Sequence, residues 1–240
     1  MTAKTNETQA RFFDDEVSYF LSKQEENSVH ARRVMNKFLS LVVQYPRSRV
    51  LDIGAGIGTY SLPLLREGSS VTALDISAKS LEIYHMLACK ENLESRLTLS
   101  CQKAEGLESV DQYDMVLTRH VLHHVDNIAE VARRIHRSLR ENGTAIFLEP
   151  NPLCPYWYPY LTFHPHRSWK VEHGILRCFP WMLIRHFRNA GFREIELTNY
   201  GAFPPFVVNR FGSLIALEDP LASVPWLRRF LALTLLKVRK

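Results

Sequence analysis

The chain has 240 residues, 46% of them hydrophobic and 23% charged, with a formal net charge of +5; this suits one soluble α/β domain with a substantial core and room for an insertion. The charge is mild, as fits an acidic substrate, an anionic surface or a plain basic exterior. No apolar run reaches the roughly 18 residues of a membrane span, Met1 to Ala10 lack a signal-peptide core, and widely spaced Cys89, Cys101, Cys154 and Cys178 predict free thiols in the reducing cytoplasm.

Residues 1 to about 10 read as frayed, and residues 11–44 as an N-terminal helical cover. Phe12, Phe13, Val17, Tyr19 and Phe20 form one apolar group and Val34, Phe38, Leu41 and Val42 another, with a polar turn at Lys23 to Ser28 between them. Pro46 closes this region, and the short apolar run Val50 to Ile53 predicts a strand buried on both faces. Three glycines at alternate positions follow, Gly54, Gly56 and Gly58, and Thr59 to Glu67 reads as a helix. Strand, glycine turn and helix start together make a nucleotide-type ligand site at the carboxyl end of a parallel sheet. A dinucleotide fingerprint would place its third glycine at position 59, where this chain has Thr59. The second strand, Val71 to Asp75, ends on a carboxylate able to accept from both hydroxyls of a ribose. Ser77 is the predicted cap of the next helix, Ala78 to about Asn92, whose buried side is Leu81, Ile83, Tyr84 and Leu87.

An acidic residue followed by G-x-G-x-G, here Asp52 and then Gly54 to Gly58, resembles motif I of the class I S-adenosylmethionine-dependent methyltransferases. The resemblance implies a Rossmann-like, doubly wound α/β fold with a seven-stranded sheet whose last strand is antiparallel. It also implies S-adenosyl-L-methionine as cofactor, contacted by Asp52, Gly54, Ala55, Gly56, Gly58, Asp75, Ile76, Ala104, Glu105 and Arg119. After the third strand, Leu97 to Cys101, many such enzymes read G-D-A-E-x-L, with the aspartate on the adenine amine. Lys103 stands at that position and can only donate, whereas Ala104, Glu105 and Leu107 match. Glu105, a backbone carbonyl or apolar sandwiching would then hold the adenine.

The fourth strand, Tyr113 to Leu117, leads into Thr118 to Val125, which resembles a motif IV ending in V-L-H-H-V. The resemblance places Thr118 to His120 against the methionyl end of the cofactor and the incoming acceptor. His120, His123 and His124 are the candidate catalytic residues, because a near-neutral imidazole can take a hydroxyl proton. His120, nearest the strand end, is the preferred base. The same three histidines repeat the E-x-x-E-H spacing of a metal site in ubiquinone-pathway O-methyltransferases, in a form suited to a softer metal such as zinc. In metal-free relatives one histidine packs under the loop instead, and no metal is assigned. Alignment of acceptor, methyl and sulfur can itself supply much of the rate.

The next helix is predicted from a cap at Asp126 or Asn127 along Ile128, Val131, Ile135 and Leu139 to Gly143, with a fifth strand at Thr144 to Leu148. Residues 151–178 form an insertion dense in aromatics and prolines, read as a lid over the acceptor pocket. Its aromatics suggest an apolar acceptor, and Arg167 and Lys170 suit a carboxylate or phosphate. An ordinary packed subdomain and a membrane-resting surface are the alternatives. A helix at Phe179 to Ala190 stops at Gly191, and a sixth strand spans Glu194 to Tyr200. A helix over Val208 to Leu217 follows, and Ala232 to Val238 is preferred as the seventh strand over a basic amphipathic membrane helix.

The expected function is methyl transfer to a small or lipid-like acceptor, with a hydroxyl oxygen favoured. The alternatives are a catalytically inactive methyltransferase-fold binding protein and a nicotinamide-dependent oxidoreductase. Nucleic acid is not expected, since the basic residues are spread along the chain and no Asn/Asp-Pro-Pro-Tyr/Phe motif follows the fourth strand. The oligomeric state is left open.

Overall fold

A computed structural model describes Asp14 and residues 29–42, 44–163 and 169–240. Its centre is one seven-stranded sheet in the order β3-β2-β1-β4-β5-β7-β6. The strands are β1 (Arg49–Ile53), β2 (Ser70–Asp75), β3 (Leu97–Cys101), β4 (Tyr113–Arg119), β5 (Leu139–Pro150), β6 (Glu194–Tyr200) and β7 (Leu233–Arg239). The first five are parallel where they pair, and β7 runs antiparallel between β5 and β6. β6 therefore points the same way as β5, and its last residue, Tyr200, reaches the carboxyl edge that carries Asp75 and Arg119. The expected seventh strand is present, shifted by one residue, so Leu233–Arg239 is not a membrane-surface helix.

Alternate residues of each strand serve opposite faces. Val50, Met115, Leu117, Ile146 and Leu148 pack on one side, with α1 (Val29–Val42), α2 (Leu62–Arg66) and α3 (Ala78–Lys90). Leu51, Ile53, Val116, Ala145 and Phe147 pack on the other, with α4 (Ile128–Ser138) and, across the insertion, α7 (Pro180–Asn189). Two short helices in the insertion are α5 (Trp157–Phe163) and α6 (Trp169–Glu172). Of the N-terminal helical region expected over residues 11–44, α1 buries Val34, Phe38 and Val42. The predicted apolar group from Phe12 to Phe20 and the turn at Lys23 to Ser28 lie outside the described residues, as does Arg167.

Several expected boundaries move. The helix expected from Thr59 begins only at Leu62, because residues 59–61 are turns and Pro63 favours a helix start there. Asn127, not Asp126, caps α4, its side chain accepting from Glu130 N–H. That helix ends at Ser138; Leu139 is extended, with ψ 142°, and opens β5, so Gly143 lies within a strand rather than past a helix. The single helix expected over Val208 to Leu217 is divided into α8 (Pro205–Arg210) and α9 (Ile215–Ser223), since Phe211 leaves helical geometry at φ −128°. A further short helix, α10 (Pro225–Arg228), precedes β7. Among the described residues no helix is long and apolar enough to cross a membrane.

Candidate active site

Strand register assembles the site. Ile53 pairs with Leu74 on one side and Thr118 on the other, so the glycine loop, Asp75 and Arg119–His120 leave the sheet side by side. The loop is left-handed at each glycine, with φ of 71° at Gly54, 53° at Gly56 and 79° at Gly58. A Cβ on Gly54 would lie 2.2 Å from Val121 Cγ2, and one on Gly58 would lie 2.3 Å from the Tyr84 ring, whereas one on Gly56 would meet nothing within 4 Å. The outer two glycines therefore permit packing, and the middle one faces open space beside Asp75.

Asp75 shapes that space. Its Oδ2 accepts from Gly56 N–H at 2.7 Å and its Oδ1 from Ser77 N–H at 2.9 Å. Each oxygen keeps a further lone pair for a ribose hydroxyl. Burial raises this carboxyl's pKa, and the Ser77, Gly56 and Ile76 N–H groups oppose the rise. Ser77 also caps α3, as expected, by accepting from Ser80 N–H.

Asp52, expected among the cofactor contacts, is anchored within the chain. It is 3% exposed, beneath the loop, and accepts a hydrogen bond from Ser61 Oγ at 2.5 Å. Ser61 Oγ also lies 2.7 Å from the Tyr84 hydroxyl. Burial pushes the Asp52 carboxyl up to about 7 against the Ser61 bond, with the Asp75 charge adding to the rise. Asp52 thus ties the start of the glycine loop to Ser61 and, through it, to Tyr84.

After β3, Ala104 is buried, and Glu105 Oε1 accepts from Asp126 N–H at 2.7 Å. Lys103 lies 3.7 Å from Asp126. The lysine that replaces the expected aspartate thus has an acid opposite it, on the loop before α4.

The three histidines separate. His120 stands at the end of β4 in a left-handed conformation, φ 56°, its N–H donating to Leu148 O at 2.8 Å. A non-glycine residue held there is a feature often met at functional sites. His123 is 2% exposed, with Nδ1 2.6 Å from Glu149 Oε2 and Nε2 3.1 Å from Glu172 Oε2. Burial alone would depress its imidazolium, but Glu149 and Glu172 outweigh that and raise its pKa. Expected among the catalytic histidines, His123 has both ring nitrogens engaged by carboxylates and is closed to an acceptor. His124 lies beside it, Nε2 3.7 Å from Glu172 Oε2.

Glu149 and Glu172 were not singled out from the sequence, although a glutamate closing an apolar strand is a usable signal. Glu149 Oε1 accepts from the N–H groups of Val121 and Leu122, both at 2.9 Å. The insertion is locked onto the same loop: Arg177 Nη2 donates to His123 O at 3.1 Å, and a Cβ on Gly174 would lie 1.7 Å from that oxygen. Arg119 departs on the opposite face. It follows Met115 and Leu117 in the alternation, and its guanidinium lies over the Tyr60 ring, 4.8 Å from the centroid.

A sequence profile described as "Methyltransferase domain" matches residues 6–197. The chain belongs to the methyltransferase-domain family. Similar proteins include the ubiquinone biosynthesis O-methyltransferase of Rickettsia prowazekii (strain Madrid E), 28% identical over 125 residues, 52% of this chain and 49% of that one. The protein of the same name from Aeromonas salmonicida (strain A449) is 32% identical over 95 residues, 40% of each chain. The matched segment thus spans half or less of these relatives. Among solved structures, a SAM dependent methyltransferase from Archaeoglobus fulgidus superposes with TM-score 0.65 at 18% identity, covering 92% of this chain and 99% of that one. Phosphoethanolamine N-methyltransferase 2 of Haemonchus contortus, in complex with S-adenosyl-L-methionine, gives 0.64 at 18% identity over 95% and 60%. In that Haemonchus structure the shared fold holds S-adenosyl-L-methionine. The open space at Gly56 and the spare acceptor capacity of Asp75 fit that molecule.

Proposed function

We propose that this methyltransferase transfers a methyl group to a hydroxyl oxygen of a small or lipid-like acceptor. The observation that carries the reading is the register that sets the glycine loop, Asp75 and His120 on one edge of the sheet. Relatives named as O-methyltransferases support oxygen as the target.

Gly54, Ala55, Gly56 and Gly58 would hold the cofactor's main body, Asp75 and Ile76 its ribose, and Ala104 and Glu105 its adenine side. When bound, S-adenosylmethionine supplies an electrophilic methyl on a sulfonium. His120 would take the proton of the acceptor hydroxyl as its oxygen receives the methyl group. The loop from His120 to His124, fixed by Glu149, keeps the acceptor in line, which reduces the base strength required. His123 and Glu172 position that loop. The described part of the insertion after β5 would wall the acceptor side, a reading supported by the anchoring of Glu172, Gly174 and Arg177 to the histidine loop. Exposed Trp226 and Phe230, flanking Arg228 and Arg229, support passing contact with an anionic bilayer when the acceptor is lipid-like.

The test is incubation with methyl-labelled S-adenosylmethionine and a cell extract, followed by partition between organic and aqueous phases. Label in the organic phase is expected. Aqueous label alone overturns the lipid-like acceptor, and no label from a protein that binds S-adenosylhomocysteine overturns the transfer reading.

A further inference from the structure

Arg119 and Tyr200 carry polar groups that nothing in the described chain satisfies. Arg119 Nε is buried without a hydrogen-bond partner, and no described carboxylate forms an ion pair with this guanidinium. Tyr200 is 5% exposed, and its hydroxyl is likewise buried without a partner. A guanidinium presents five donors and a phenol one, and both groups lie on the same face of the sheet: Tyr200 belongs to the cluster against which Tyr60 packs, and the Arg119 guanidinium lies over the Tyr60 ring. Burial of such groups is costly unless something pairs with them.

The surroundings are those of an anion site. Lys37 Nζ sits 5.3 Å from the Tyr200 ring centroid. The buried acid nearby, Glu218, is engaged by Arg33 at 2.6 Å, and Asp219 by the same arginine at 2.9 Å. His30, on the first turn of α1, is held near 4 by burial and by the Arg119 charge, so it is a neutral wall rather than a competing cation. Tyr60 backs the guanidinium from the glycine-loop side.

Position identifies whose anion this is. The cofactor edge is built on β1 and β2, through the glycine loop and Asp75. Tyr200 ends β6, three strands away from β4 in the opposite direction. The space between Arg119 and Tyr200 therefore lies on the acceptor side, under α1. We propose that Arg119 and Tyr200, backed by Tyr60, form a subsite for one oxyanion, a carboxylate or phosphate, borne by the molecule to be methylated. The proposal rests on the methyltransferase reading and adds a substrate class to it: the acceptor carries a negative charge as well as the reacting hydroxyl. An arginine fork accepts either anion in a bidentate manner, and the Tyr200 hydroxyl supplies the third donor.

The experiment uses the full chain in two titrations. The first measures S-adenosylhomocysteine binding; the second adds benzoate, phenyl phosphate or benzyl alcohol to the saturated protein, with heat as the readout. The expected result is saturable, salt-sensitive binding of at least one anion and none of the neutral alcohol. Whichever of benzoate and phenyl phosphate binds more tightly names the anion. Arg119→Gln should weaken that binding about tenfold or more, and Tyr200→Phe several-fold, with S-adenosylhomocysteine affinity unchanged in Tyr200→Phe; the same titration tests the cofactor contact that the family resemblance implies for Arg119. Tyr200→Phe removes only a hydroxyl and serves if the arginine variant does not fold. No saturable anion binding overturns the proposal, as does binding indifferent to both substitutions. Loss of S-adenosylhomocysteine affinity in Arg119→Gln assigns the arginine to the cofactor and also overturns it. A wild-type protein that fails the first titration overturns the methyltransferase reading itself, a result separate from failure of the second.

Discussion

His123 Nδ1 lies 2.6 Å from Glu149 Oε2, joining the loop after β4 to the end of β5 inside the core. Glu172 closes the other side of the ring. Replacing His123 with alanine leaves two buried carboxylates without their shared cation. The expected cost is roughly 3–5 kcal/mol in urea or thermal unfolding. A loss below about 1 kcal/mol would show that the histidine does not bind the insertion to the sheet.

The same triad sets a pH dependence. His123 is raised in the folded protein above its ordinary value of 6.5. Its contribution to stability is therefore complete below that ordinary value and is lost as pH rises through the elevated folded one. The stability difference between the wild type and His123→Gln should shrink from mildly acid to alkaline pH. A difference that grows with pH would contradict the assignment of an imidazolium.

The glycines should respond differently. Gly58→Ala drives a Cβ into the Tyr84 ring at a left-handed position and should cost about 1–3 kcal/mol as well as cofactor affinity. Gly56→Ala meets no protein atom, although its φ is also positive. Its loss of S-adenosylhomocysteine affinity should be large relative to its fall in melting temperature. Equal losses in the two variants would show that Gly56 does not face the ligand.

His120→Ala should lower turnover by about 10²- to 10⁴-fold while cofactor binding is retained. A loss of less than about tenfold would leave alignment, not proton abstraction, as the source of rate.

Most of the sheet is readable from the sequence because its signals are local. Val50 to Ile53 is a buried apolar run, Glu194 to Tyr200 is bounded by Gly191 and Gly201, and the spacing of Gly54, Gly56 and Gly58 marks a left-handed loop. Asp75 is legible for the same reason, as an acid that ends an apolar strand. The failures sit where a tertiary contact overrides local preference. Leu139 has the helical spacing of α4 yet enters β5 beside Tyr113, and Pro63 delays the helix after the glycine loop.

The chain's sequence determined the family, the glycine loop and the strand that leads into His120, since each depends on neighbouring residues and on backbone geometry. Only the tertiary structure decided how the side chains divide. Strand alternation sends Glu149 and Thr118 to one face and Arg119 to the other, and the crossover through the insertion delivers Glu172 to His123 from 49 positions away. Sheet topology likewise sets Tyr200, at the end of the edge strand β6, on the same carboxyl edge as Arg119. Charge pairing inside a core depends on which groups share a space and which are left without water. Distance along the chain carries no record of that.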